Sequence, residues 1–199
     1  MRKIPLLLLA FGLFAFGSML HAQQLDAAFG VNTITAPSNQ AITSTNFYPQ
    51  SVGGGFFPSF SADYLWKNHF GAQGEVAWRG KDGIYGGYQP FRPIFYDFNA
   101  MYAPYIGKKV EVEALAGIGS LSSRFYTPYY NCSTFTCTDY QSSNHLAGHL
   151  GAGVRLYVWN RVFVRPEAHF YFIRNNFEYN SEHAERYGVS IGYSFGTSD

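Results

Sequence analysis

Acidic and basic side chains recur in this chain at spacings that would place them on one face of extended segments. Asp26, Asp63, Glu75, Asp97, Glu111, Glu113 and Glu167 share that face with Arg79, Arg155 and Arg165, and with Arg186 nearer an end. Gln73, Asn99, His149 and His169 fall among them. Charges gathered in a narrow, low-dielectric space must pair or stay hydrated. Arginine–carboxylate forks are the natural solution. The first expectation is a structural ion-pair network, and the second a gated or narrow path for solutes. Nucleophilic catalysis would need a serine, a histidine and an acid in reach of one another. Ser143 with His145 and Ser181 with His183 are sequence neighbours, but both pairs fall in or beside expected loops. No strand-borne Ser–His–acid set and no nucleophile elbow is present. With no nucleotide loop, metal cluster or redox motif, the expectation is a non-enzymatic protein without cofactor or metal.

Cys132 and Cys137 lie in YNCSTFTCTDY. In an exported protein, thiols this close tend to pair, and a loop-stapling disulfide is expected. A metal site is the alternative, but it needs two further ligands that the neighbourhood does not offer.

These residues need strands to position them. In VFVRPEAHFYF, 162–172, Val162, Val164, Pro166, Ala168, Phe170 and Phe172 alternate with Phe163, Arg165, Glu167, His169 and Tyr171. Side chains of a strand alternate between faces, so one face is apolar and the other charged. The pattern recurs near 25–33, 54–66, 70–79, 92–102, from 110, at 145–159 and from 186. Pro58 is awkward in a closed sheet and predicts a bulge near the rim. Loops are expected over 34–51, 80–90, 127–144 and 174–185. They alternate with short turns around 66–69, 107–108 and 160–161.

Long and short connections in alternation, between eight strands, suit an antiparallel barrel with short turns at one end and long loops at the other. The expected fold is therefore all-β, an eight-stranded antiparallel up-and-down transmembrane β-barrel. Its polar face, rich in glycine and serine, would fill the lumen. Its apolar face would meet lipid, with Trp66, Trp78, Trp159, Tyr193 and Phe195 as an aromatic girdle. A soluble barrel or sandwich, with apolar residues inside, is the runner-up fold.

The first 22 residues read as an export signal. Arg2 and Lys3 precede an apolar run over 4–16, and Ala22 closes a plausible cleavage site. A retained helical anchor is the alternative, but the run is short of the ~20 residues a span needs. Residues 23–199 would then be one barrel domain. Removing Arg2 and Lys3 from 14 basic residues leaves 12 against 13 acidic ones, which gives no reason to expect nucleic acid.

The signal, the eight alternating segments and the terminal RYGVSIGYSF together resemble the small bacterial outer-membrane barrels of the OmpA/OmpX/OmpW-like "porin family" group. The resemblance covers nearly all of 23–199. It implies an outer-membrane location among membrane lipids, and a last strand whose Phe195 is read by the barrel-assembly machinery. Some barrels of this size modify lipid A, so a lipid-modifying enzyme stands as the least favoured alternative. A Tyr/Ser/Asn-rich stretch such as TPYYNCSTFTCTDYQSSN would suit an extracellular ligand at the loops.

Overall fold

The alternation closes into a ring. A computed structural model of the chain describes residues 24–37, 51–66, 69–132, 137–179 and 181–196. The expected signal segment lies outside them, as do most of the first long loop and part of the 66–69 turn. The strands are β1 (Gln24–Thr35), β2 (Phe57–Leu65), β3 (Phe70–Trp78), β4 (Gly83–Tyr85), β5 (Gln89–Tyr102), β6 (Tyr105–Gly107), β7 (Val110–Cys132), β8 (Cys137–Trp159), β9 (Val162–Ile173) and β10 (His183–Ser194). Eight of them pair antiparallel in the order β5-β3-β2-β1-β10-β9-β8-β7, and β5 pairs with β7 to close the barrel. β4 and β6 are three-residue strands attached to β5 and β7. Closure leaves the eight-membered ring without a free edge.

The inward face is the charged one. Arg155, Arg165 and Arg186 are buried, whereas Leu25, Phe29, Val31, Phe98, Ile118, Leu150 and Ile191 are 47–67% exposed. An apolar surface of this extent is not kept against water, and it suits acyl chains. Trp66 and Trp159 are exposed at the short-turn end, and Trp78 is half-buried at the other. Tyr193 and Phe195 are exposed with ring centroids 5.0 Å apart, and Phe195 N–H donates to Leu25 O at 2.8 Å.

Buried apolar residues collect at the two ends of the lumen. At the long-loop end, Phe57, Phe91, Phe95, Leu121, Tyr171 and Tyr179 belong to one cluster. At the short-turn end, Leu65, Met101, Ala103 and Leu115 form a smaller one. Burial pushes the phenol of Tyr179, in the β9–β10 connection, above the usual tyrosine range. The charged residues lie below the long-loop cluster and extend beside the smaller one, since Glu111 and Glu113 precede Leu115 on β7. Small residues make room for them: a Cβ on Gly119 would collide with Asp97 Oδ1.

Three local expectations are corrected. The described residues of 127–144 are strand rather than long loop, because β7 and β8 are 23-residue strands that continue the hairpin to Cys132 and Cys137. The 80–90 loop contains β4, folded back on β5. Pro58 makes no bulge: the β1–β2 register passes through Val31↔Pro58 without a shift. Pro58 lies one residue beyond the last β2–β3 pair, Ser59↔Ala77, where a missing donor is tolerated.

Candidate functional site

The polar lumen is built in two layers. In the layer nearer the short turns, Arg155 on β8 and Arg165 on β9 are neighbours. The β8–β9 register runs from Gly153↔Glu167 to Leu156↔Val164 without slipping, stepping over Pro166, which has no N–H to give. Arg155 donates to Asp26 Oδ2 at 2.5 Å, Asp63 Oδ2 at 2.7 Å and Glu113 Oε2 at 2.7 Å. Glu111 Oε2 lies 3.7 Å away. Arg165 donates to the same Asp63 oxygen at 2.9 Å, to Glu113 Oε1 at 3.3 Å and to Glu167 Oε2 at 2.8 Å. Asp63 and Glu113 therefore each bridge both guanidinium groups. Gln24, Ser61 and Tyr157 complete the layer, donating or accepting at 2.8–3.0 Å. The bonds join β1, β2, β7, β8 and β9 through the barrel interior.

The layer nearer the long loops is less complete. Arg186 on β10 donates from Nη2 to Glu75 Oε2 at 2.6 Å, and its Nε and Nη1 have no partner. Tyr171 donates to Asp97 Oδ2 at 2.9 Å. His149 and His169 stack, with His149 Nε2 and His169 Nδ1 2.9 Å apart. Among the described residues, seven buried carboxylates share the lumen with three buried arginines. Their formal charges leave four negative charges for protons or other cations to balance.

Eleven of the twelve residues expected in the network thus lie in this interior, and Arg79 does not join them. Its guanidinium sits over the Phe91 ring at 5.4 Å, at the long-loop end. Among the described residues no carboxylate is within ion-pair distance of it, because β3 has ended at Trp78 and the side chain leaves the polar layers. Arg186, expected near a rim, is fully buried. Ser61, Ser190 and Tyr171 are legible in the sequence only as inward-facing by parity.

The loop histidines resolve differently. Ser143 donates to Glu178 Oε1, and its Oγ lies 3.2 Å from His145 Nε2. The other oxygen of Glu178 lies 2.7 Å from that same Nε2. A relay places the serine on one ring nitrogen and the acid on the other. Here both fall on one nitrogen, and the serine gives its proton straight to the acid. Ser181 donates to the backbone oxygen of His183 at 2.7 Å, while the His183 ring stacks on Phe170. Cys132 and Cys137 are directly opposite one another and joined by a disulfide.

No known sequence family and no curated protein matches the chain. Its fold does match solved structures. Neisserial surface protein A superposes with a TM-score of 0.59 at 11% identity, over 87% of this chain and 97% of that one. A major outer membrane protein of Thermus thermophilus gives 0.58 at 13%, over 88% and 100%. Ail, the attachment invasion locus protein of Yersinia pestis, solved with the heparin analogue sucrose octasulfate, gives 0.53 at 13%, over 87% and 97%. The fold is that of the small bacterial outer-membrane β-barrel proteins.

Proposed function

We propose that this protein is an integral outer-membrane barrel with a structural and surface-interaction role and a lumen that does not conduct. The layering of the lumen carries this reading. An apolar cluster fills the long-loop end, and the three arginines of the lumen below it are at most 1% exposed. A solute path would need hydrated charges, and eight-stranded barrels are largely filled by side chains. The Ser143–His145–Glu178 arrangement lacks a relay, which supports a non-enzymatic role. Residues 1–22 are removed on export, and Phe195 offers the terminal aromatic to the assembly machinery.

The long-loop end is the outward one. Tyr88, Tyr129, Tyr130 and Phe177 are 67–82% exposed there, beyond the apolar belt. Aromatics on loops give large contact area at low entropic cost, so this end is the surface for an extracellular ligand. Epitope tags test the orientation. A tag at Gly86–Gly87 reacts on intact cells, and one at Lys108–Lys109 reacts only after permeabilisation. Labelling of the second tag on intact cells contradicts the reading.

A further inference from the structure

Among the described residues, five ligand-type atoms in the lumen have no hydrogen-bond partner, Asp63 Oδ1 and Asp97 Oδ1 among them, and three of the five residues stand together. Glu75 Oε1, Glu167 Oε1 and His169 Nε2 are buried without a hydrogen-bond partner. One ligand atom from each of these residues lies within 4.8 Å of the other two. The three residues are at most 7% exposed. Buried polar atoms are normally paired, and each exception calls for an explanation.

Each of the three is held in place by its other atom. Glu75 Oε2 accepts from Arg186 Nη2 at 2.6 Å, and Glu167 Oε2 accepts from Arg165 Nε at 2.8 Å. His169 Nδ1 lies 2.9 Å from His149 Nε2. Outer groups that fix the far atom of each ligand and leave the near atom free are the usual support of a metal site.

The proton positions follow from a directed chain of bonds. Glu113, as a carboxylate, only accepts, and Gln73 Nε2 donates to its Oε1 at 3.3 Å. Gln73 Oε1 then accepts from Asn99 Nδ2 at 3.2 Å, which leaves Asn99 Oδ1 facing His149 Nδ1 at 2.6 Å. A neutral His149 therefore carries its proton on Nδ1 and accepts at Nε2. A neutral His169 then donates from Nδ1, and its Nε2 keeps a bare lone pair. That lone pair lies 3.8 Å from Glu167 Oε1. Two electron-rich atoms at that separation repel unless something positive lies between them. The excess of buried carboxylates over arginines points the same way.

We propose that Glu75, Glu167 and His169 bind one divalent cation of the zinc class. One imidazole and two carboxylates are ligands for such an ion, and three protein ligands leave a position for water. Glu75 is on β3 and the other two are on β9, four strands away around the ring of eight, so the ion ties opposite walls of the barrel. The proposal does not depend on the outer-membrane reading.

The test uses the full chain refolded into detergent with Zn²⁺ alone, or with Co²⁺ as a spectroscopic substitute, and then desalted. One equivalent of zinc per barrel is expected. The Co²⁺ form should show the intense visible absorption of a four- or five-coordinate site. Glu167→Gln and His169→Gln lose the equivalent, whereas His183→Gln, outside the lumen, retains it. Circular dichroism verifies that each variant folds. Should the lumen variants not fold, the unaltered chain decides alone. No retained zinc, as when a second proton occupies His169 instead, overturns the proposal, and so does a weak six-coordinate Co²⁺ spectrum. Zinc retained at the unaltered level by folded Glu167→Gln and His169→Gln overturns it as well.

Discussion

The two lumen layers are made from the same residue types and solve opposite problems. In the lower one, Arg155 meets three carboxylate oxygens at 2.5–2.7 Å, and two carboxylates serve both Arg155 and Arg165. Every nitrogen of the two guanidinium groups there has a partner. In the upper one, Arg186 reaches a single carboxylate and leaves two nitrogens unused. A saturated cluster acts as a rivet, since removing any member strands several others. An under-filled cluster leaves buried polar atoms for something the chain does not supply. Burial alone does not distinguish them, for all three arginines are at most 1% exposed. Partner count does.

The largest effect should come from breaking the saturated layer. Arg155→Ala leaves Asp26 without a guanidinium and Asp63 and Glu113 with Arg165 alone, and should cost about 3–5 kcal/mol in reversible urea unfolding of the lipid-embedded barrel. Arg186→Ala strands Glu75 but also removes two buried nitrogens that have no partner, and should cost less, about 1.5–3 kcal/mol. Equal losses would erase the difference between the layers. The disulfide lies in the hairpin extension, away from both. Replacing Cys132 and Cys137 by serine should leave the barrel assembled, at a cost of about 2 kcal/mol or less. Intact mass without reduction should show the native chain two hydrogens lighter than its reduced form. Ser143→Ala, in the Glu178 cluster, should cost about 0.5–1.5 kcal/mol and leave lipid A acylation unchanged in cells. A change in lipid A that tracks Ser143 would restore the enzyme reading.

Parity explains how much of this is legible in the sequence. A strand's period of two assigns Asp63, Glu113, Arg155 and Arg165 to one face, and that face is the lumen because the other is apolar and exposed. Which arginine meets which acid is not legible. Arg155 and Asp63 lie on β8 and β2, four strands apart in the closed ring, and no local spacing encodes that distance. Glu75 with Glu167 and His169 escapes a motif reading for the same reason. Arg186 resembles a rim residue in the sequence because the polar stretch before it extends to 185, whereas β10 begins at His183 and the side chain reaches down to Glu75. The β7–β8 extension resembles a loop because its residues are polar on both faces. Beyond the lipid belt nothing demands an apolar face, so a strand there loses the alternation that marks it.

The claim on which the rest depends is that the lumen is closed. Planar bilayer recording of the purified, unmodified chain tests it most directly. A closed lumen gives a baseline without steady conductance, with Arg155→Ala the variant most prone to leak. Large, regular single-channel steps from the unaltered protein would contradict it and make the barrel a path for small solutes.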